Sequence, residues 1–331
     1  MTVHPFDTVA GMNFSIDAWD PGYGSSMEAE ELGRSQAEVE LDVEVPEAEW
    51  APIDPSPVSP PEAVLFVDGV RRIDARVWID DPAGTNSASI GICASYAAGV
   101  VCCCEGQAHV VGTDVRRGLF TVAPQADDIV TPAGIYTAHR AAAKEDKPLP
   151  VVLSSALQEQ LAETELDTAI RARTAIAGHV GDDLLVVDGP LRGRAHLDRA
   201  VGFIKSHQTT YLPGELNAMV GRLGPHQRTP VFLMGTTWVR HSWYLRLPSV
   251  GGPPWSGVVR VEAAPHLGRD QVAELANVTQ SVLGRFASVA YKDSRAPQNL
   301  YPIAGLERDL RHRLGDQQFV YRALRLAATR G

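Results

Sequence analysis

Ala63-Val64-Leu65-Phe66-Val67-Asp68-Gly69 and Leu184-Leu185-Val186-Val187-Asp188-Gly189-Pro190 repeat one pattern, a continuous apolar run that ends in Asp-Gly. Short apolar runs bounded by turn residues read as buried strands. Each of these delivers a carboxylate at its carboxyl end, where the ligands of α/β sheets gather. Between them, Leu157, Leu161, Leu166, Ile170 and Ala177 recur at helical spacing, which predicts a helix from about Ser154 to Ala177 with Ser154 or Ser155 as its N-cap.

Working outward, Ile73 to Ile79, the small-residue run Ser87 to Cys104 and a strand near Leu119 to Val122 follow the first Asp-Gly as an antiparallel meander. After the second come a strand at Gly202 to Lys205, a short helix at Glu215 to Leu223 and a strand at Pro230 to Met234. Ser242 to Leu247 and Val258 to Ala263 read as an antiparallel pair, and helices are predicted over Gln271 to Tyr291 and Ile303 to Arg330. This order of strands and helices implies a mixed-sheet α/β domain. No internal repeat is visible.

The 331 residues are 44% hydrophobic and 21% charged, the composition of a globular chain. No apolar stretch approaches the roughly 18–20 residues that cross a bilayer, and Met1 to Ala10 lacks the basic and apolar regions of a secretory signal. The expectation is a cytoplasmic protein with no membrane contact. Its net charge of −10 is unevenly spread. Residues 1–62 hold 14 Asp or Glu and one Arg, a net of −13, so the rest carries 26 acids and 29 Lys or Arg, a net of +3. A basic channel for nucleic acid is therefore permitted in the body of the chain. Residues 1–62 read as an acidic, Pro-rich N-terminal arm, joined through Pro52 to Pro61. Its short strands are at Phe14 to Trp19 and Val39 to Val45, where apolar and polar residues alternate.

Cys93, Cys102, Cys103 and Cys104 lack the C-x₂-C spacing of zinc sites. Neighbouring cysteines on a strand point to opposite faces, so these read as small apolar residues of a buried strand.

The chemistry rests on the carboxylates. Hard cations such as Mg²⁺ or Mn²⁺ take oxygen ligands, and metal-assisted phosphodiester hydrolysis needs several clustered carboxylates. Val67-Asp68-Gly69-Val70 is equally the pattern of a two-residue hairpin turn. Asp188 is less open to that reading, because Pro190 cannot start a paired central strand.

A wider series follows the second Asp-Gly: Gly202-Phe203-Ile204-Lys205-Ser206-His207, Ser242-Trp243-Tyr244-Leu245-Arg246-Leu247, Val259-Arg260-Val261-Glu262, and Arg295-Ala296-Pro297-Gln298-Asn299-Leu300-Tyr301-Pro302-Ile303. In order and spacing it resembles the NurA nucleases, over roughly residues 63–310. Their motifs run strand-Asp-Gly, acidic helix, strand-Asp-Gly, Gly-x-x-Lys, a Tyr-x-Arg-Leu strand, an Arg-x-Glu strand and Tyr-Pro. Asp17-Ala18-Trp19-Asp20-Pro21 resembles a feature of an actinobacterial branch of that family.

The resemblance implies an RNase H-like mixed sheet flanked by helices, a nuclease domain over residues 63–331 and Mn²⁺- or Mg²⁺-dependent cleavage of DNA. It also implies 5′→3′ exonuclease and single-strand endonuclease activities, a homodimer, and a HerA-type hexameric ATPase as partner in DNA-end processing or defence. Asp68 and Asp188 match the first and third catalytic acids. The second belongs on the helix before Asp188, where family spacing points to Asp167 and residue type to Glu165. The family places His or Asp on the helix after Tyr-Pro; this chain has Leu306-Glu307-Arg308-Asp309 there, with Glu307 the candidate fourth metal ligand beside Asp68 and Asp188 and Asp309 its alternative.

Lys205 suits neutralising the scissile phosphate or guarding an edge strand, and His207 shares its strand face. Arg192, Arg194 and Arg199 suit a phosphate-tracking patch or a solvated loop. Tyr244 and Arg246 are DNA-contact candidates on one face, and Arg260 with Glu262 suits a structural ion pair. The alternative to a nuclease is a catalytically inactive RNase H-like scaffold that binds DNA or the ATPase. In either case the acidic arm, as a DNA mimic, is a candidate shield for the basic channel.

Overall fold

The computed structural model describes residues 37–80, 88–144, 146–207, 209–248 and 254–329. The expectations for Phe14 to Trp19 and for Asp17 to Pro21 lie outside them.

The wholly apolar runs lie side by side. Strands β1 (Glu38–Glu40), β2 (Ala63–Ile79), β3 (Ser89–Cys104), β4 (Gln107–Thr121), β5 (Ile129–Thr131) and β6 (Gly134–Arg140) precede helix α1 (Leu149–Ile176). Then come β7 (Asp183–Asp188), β8 (Ala200–Ile204), α2 (Gly214–Gly221), β9 (Phe232–Gly235), β10 (Val239–Arg246), β11 (Val258–Ala263), α3 (Arg269–Val282), α4 (Tyr301–Arg313) and α5 (Gln317–Ala328). The strands form one sheet of order β1-β9-β10-β11-β8-β7-β2-β3-β4-β6-β5. Pairing is parallel at β2/β7, β7/β8 and β4/β6 and antiparallel elsewhere.

The result is a mixed α/β fold, mostly antiparallel and flanked by helices. Its centre is an antiparallel meander, β2 to β4; α1 leads from β6 into β7, which pairs in parallel with both β2 and β8.

Side chains alternate across β2. Leu65 and Val67 pack with Leu185, Val187, Ala169 and Ala172 under α1. Val64 and Phe66 pack with Leu184, Val186, Val272 and Leu275 under α3. Both faces are covered, which is why the sequence there is apolar without alternation. Burying each such side chain contributes about 1.5–3 kcal/mol.

Several predicted elements differ in extent. The strands predicted at 63–67 and 73–79 are one strand, because β3 pairs with it along its whole length apart from a shift between Ile73 and Ala75. The first helix begins at Leu149 rather than Ser154, with Pro in its first turn, where no amide hydrogen is needed. Val39 to Val45 is a strand only through Glu40: Val39 pairs with Met234 on β9, and Leu41 then turns into a cluster with Phe232 and Tyr244. The helix expected from Ile303 to Arg330 is two helices, divided at Gly315 (φ +81°), with Asp316 capping the second through Phe319 N at 2.6 Å. The helix predicted to Tyr291 ends at Val282 and continues as a 3₁₀ turn, Leu283–Phe286. Among the described residues no helix is long and apolar enough to cross a membrane.

Candidate metal centre

The parallel register of β2 and β7 ends at Val67↔Val187. Asp68 and Asp188 are the next residues in line on the two strands, and they share the face of Phe66 and Val186. One carboxylate oxygen from each of Asp68, Asp188 and Glu307 lies within 4.8 Å of the other two. The hairpin reading of Asp68 is overturned, because β2 runs straight through it. Neither Asp-Gly is a hairpin, and each glycine has its own reason. A Cβ on Gly69 would collide with Glu165 Oε1 and the Leu161 side chain, so the missing side chain lets a carboxylate from the α1 side of the sheet come up beside Asp68. Gly189 has φ +99° and donates its amide to Phe203 O at 2.9 Å, a conformation that excludes most side chains.

Glu307 arrives on α4, which lies close against the sheet: Leu306 and Leu310 pack on Val70 and Ala97, and a Cβ on Gly99 would stand 2.8 Å from Leu306 Cδ1. Two residues along a helix turn a side chain roughly 200° away. Asp309 accordingly points elsewhere and pairs with Arg313 at 2.6 Å, so Glu307 holds the position next to the two aspartates. The same geometry separates the acids of α1. Glu165 is buried and paired with Arg194, whereas Asp167 is exposed and lies 3.3 Å from Arg116. Residue type, not family spacing, names the acid that faces the cluster.

Three cations stand around the four acids. Lys205 Nζ donates to Asp188 Oδ2 at 2.7 Å and to Asn299 Oδ1 at 3.1 Å. Asn299 Nδ2 donates to Asp293 Oδ2 at 2.6 Å, Arg295 Nε lies 3.7 Å from Asp293 Oδ1, and Arg295 grips Glu307 with Nη1 at 3.4 Å and Nη2 at 3.1 Å. The chain Asp188–Lys205–Asn299–Asp293–Arg295–Glu307 thus links the two ends of the site. Asp293, Arg295 and Asn299 had no assigned role in the sequence. The signal was the polar run Asp293, Arg295, Gln298 and Asn299 immediately before the helix that carries Glu307.

Asp68 is treated differently. Its Oδ1 accepts from Gly69 N at 2.7 Å, while Oδ2 is buried and has no hydrogen-bond partner. Burial, and then the charge of Asp188, pushes the Asp68 carboxyl well above the usual carboxylate range, with Lys205 opposing and Glu165 and Glu307 reinforcing. Burial likewise raises Asp188, against the opposing charge of Lys205. Burial lifts Glu165 to about 7 despite Arg194. A bound cation relieves all three at once. An oxygen-only donor set, one buried oxygen without a partner and excess carboxylate fit a hard divalent ion. The structure therefore holds a possible acidic metal site.

The expected DNA-contact residues fare less well. Arg194 is buried, donating to Glu165 and, at 3.4 Å, to the Ala162 and Pro190 carbonyls. Tyr244 is 1% exposed and stacks on Phe232, and burial pushes its hydroxyl up to about 12. Arg246 is buried, donating to the carbonyls of Ser256, Gly221 and Pro254. His207 bonds Val258 O at 2.8 Å and packs on Trp255. Tyr244 and Arg246 are buried because β10 lies inside the sheet rather than at its rim, and Arg194 and His207 are engaged by groups of the chain itself. Arg199 joins Asp182 at 3.1 Å, and of Arg192, Arg194 and Arg199 Arg192 alone is exposed. Glu262 accepts from Arg240 at 2.8 Å and lies 3.1 Å from Arg260, the structural ion pair expected of that strand.

No protein-family model and no curated protein matches the chain. Among solved structures it is similar to the NurA nuclease from Sulfolobus solfataricus, with a TM-score of 0.41 and 11% identity over 80% of this chain and 84% of that one. It is also similar to the catalytic domain of human Endonuclease V, with a TM-score of 0.35 and 16% identity over 80% and 89%. A third is Endonuclease V from Ciona intestinalis in complex with an inosine-containing DNA, with a TM-score of 0.34 and 11% identity over 83% and 90%.

Proposed function

We propose that the chain is a divalent-metal-dependent deoxyribonuclease of NurA type. The observation that carries this reading is the meeting of Asp68, Asp188 and Glu307 within 4.8 Å, with Asp68 Oδ2 buried and unbonded. Mn²⁺ or Mg²⁺ held there would activate water and offset charge on a phosphodiester. Asp68, Asp188 and Glu307 supply the oxygen donors. Lys205 holds Asp188 in place and adds positive charge for a phosphate oxygen, and Arg295 positions Glu307. Glu165, lifted to about 7, can carry or release a proton near neutrality beside the cluster.

By the same reading the substrate is DNA, attacked from 5′ ends and in single strands. The working form is a homodimer, and the partner is a HerA-type hexameric ATPase in DNA-end processing or defence. The test is degradation of linear DNA with Mn²⁺ by the wild type and by Asp68→Asn and Asp188→Asn. Loss in both variants with an intact fold is expected; full activity in either removes the site.

One observation favours the second reading, an inactive scaffold: Arg295 already occupies both oxygens of Glu307. Calorimetric titration with Mn²⁺ separates the two, since a scaffold shows no heat that Asp188→Asn abolishes.

A further inference from the structure

The cysteines lacked a zinc spacing in the sequence, but the register of the β3–β4 hairpin supplies what the spacing does not. Glu105 (φ 51°) and Gly106 (φ 73°) are the two central residues of the turn, both left-handed as a type I′ turn requires. A two-residue turn of this kind leaves no freedom in the pairing that follows. Cys104 faces Gln107, Cys103 faces Ala108 and Cys102 faces His109. Cys102 and Cys104, two apart on one strand, share a face, and His109 joins them on that face as the cross-strand partner of Cys102. One ligand atom from each of Cys102, Cys104 and His109 lies within 4.8 Å of the other two. Cys103 points to the opposite face, into the cluster of Val64 and Phe66.

We infer that Cys102, Cys104 and His109 form a binding site for a thiophilic cation, Zn²⁺ as the probe, separate from the carboxylate centre. Two thiolates and one imidazole are the donors of a tetrahedral zinc site, and rotation about the side-chain bonds brings them to the about 2.3 Å and 2.0–2.1 Å that zinc–sulfur and zinc–nitrogen bonds need. The donor types exclude the hard ions suited to Asp68 and Asp188. Cys102 is buried and His109 exposed, so the site is anchored at one side and open at the other. Three protein donors leave one tetrahedral position for water or an outside ligand. Because ligands must give up protons to bind, uptake releases protons and strengthens as pH rises. The bound ion would pin the turn end of the β3–β4 hairpin, across its ladder.

The experiment is titration of the full-length protein with Co²⁺ and Zn²⁺. Co²⁺ bound to thiolates gives a sulfur-to-metal charge-transfer absorption that carboxylate sites do not, so the two centres are read apart. The expected result is this absorption, saturating at one Co²⁺ per chain and displaced by Zn²⁺. Zn²⁺ should shield two of the four cysteines from alkylation. Cys104→Ser and His109→Ala, checked for native circular dichroism, should lower Zn²⁺ affinity by more than the about 10–100-fold that losing an outer-shell partner costs. Cys103→Ser and Asp188→Asn should leave the absorption in place. His109 is on the surface, so its variant keeps the test valid if Cys104→Ser folds poorly. No thiolate absorption in the wild type, or an unchanged one in His109→Ala and Cys104→Ser, overturns the assignment. Equal damage from Cys103→Ser does so too.

Discussion

Two buried charge clusters sit on opposite sides of β8, and they are built to opposite rules. In the first, Arg228 is 1% exposed and every part of its guanidinium is engaged. Nη1 and Nη2 each reach a Glu44 oxygen at 2.7 Å, Nη2 also donates to Asn277 Oδ1 at 2.6 Å, Nε donates to Gln280 Oε1 at 3.2 Å, and Nη1 reaches Thr229 O at 3.0 Å. Glu44 also accepts from Val231 N at 2.8 Å. Charge and hydrogen bonds close within the chain. In the second cluster Glu165, Asp188 and Glu307 each have a cation in Arg194, Lys205 and Arg295, but Asp68 has a buried oxygen without a partner. The first cluster holds the N-terminal segment on the sheet. The second holds more carboxylates than cations, Asp293 also lying on Arg295, and the divalent ion proposed above would supply the missing charge.

Removing one member from the closed cluster should have the largest effect. Glu44→Ala strands the Arg228 charge in the interior, and a loss of about 3–5 kcal/mol of folding stability is expected in urea denaturation. Glu44→Gln, which keeps two of the bonds, should lose less. If both variants unfold like wild type, Arg228 finds other partners and the contrast between the clusters weakens.

The open cluster should respond in activity instead. Asp188→Asn is expected to slow Mn²⁺-dependent DNA cleavage by about 10²–10³-fold, the scale of losing one electrostatic stabiliser of a transition state. Its folding stability should change by far less than that of Glu44→Ala. A pair of variants with the reverse pattern would assign the two clusters the wrong way round.

The next effect is a dependence on pH. Glu165 has a folded pKa of about 7 against an ordinary 4.5, so between those values the unfolded chain has lost a proton that the folded chain retains. Its contribution is therefore fully present below about 4.5 and is lost as pH rises through about 7, a fall of about 3 kcal/mol at roughly 1.4 kcal/mol per unit. Asp68 and Asp188, also raised, act with the same sign. Urea midpoints measured with a chelator should drop across this window, and Glu165→Gln should flatten the drop. Adding Mn²⁺ should reverse it, because the cation favours the charged carboxylates. A chelated protein that grows more stable from pH 5 to pH 7 would contradict this account.

The smallest effect has the least expected sign. Asp68→Asn removes a buried charge that the chain leaves unmatched, and should raise the stability of the metal-free protein by about 1–3 kcal/mol while removing metal binding. Thermal melting with a chelator reads the first and calorimetry the second.

Much of the scaffold was legible because buried strands write themselves plainly. The runs ending at Asp68 and Asp188 are apolar throughout because helices cover both faces, and the helix between them keeps Leu157 and Leu161 at a regular spacing. The limits were less legible. Nothing local distinguishes Asp68-Gly69 within a strand from the same pair in a hairpin, since the difference is whether β3 pairs on past it. Nor does anything local show that Tyr244 and Arg246 face inward, because the cover over β10 comes from α2 and from the segment before β2.

The sequence by itself determined which strands are buried, that each presents an aspartate at its carboxyl end, and that the acidity of the chain belongs to residues 1–62. These follow from side-chain polarity and period, which act over a few residues. It took the tertiary structure to show that Glu307 rather than Asp309 meets those aspartates, that Glu165 rather than Asp167 is buried beside Gly69, that Asp293, Arg295 and Asn299 brace the cluster, and that His109 stands opposite Cys102. Those outcomes turn on the register of paired strands and the rotation of packed helices. Register and rotation are set by contacts between residues up to about 240 positions apart in the chain, as between Asp68 and Glu307, and one strand or helix read alone carries no record of them.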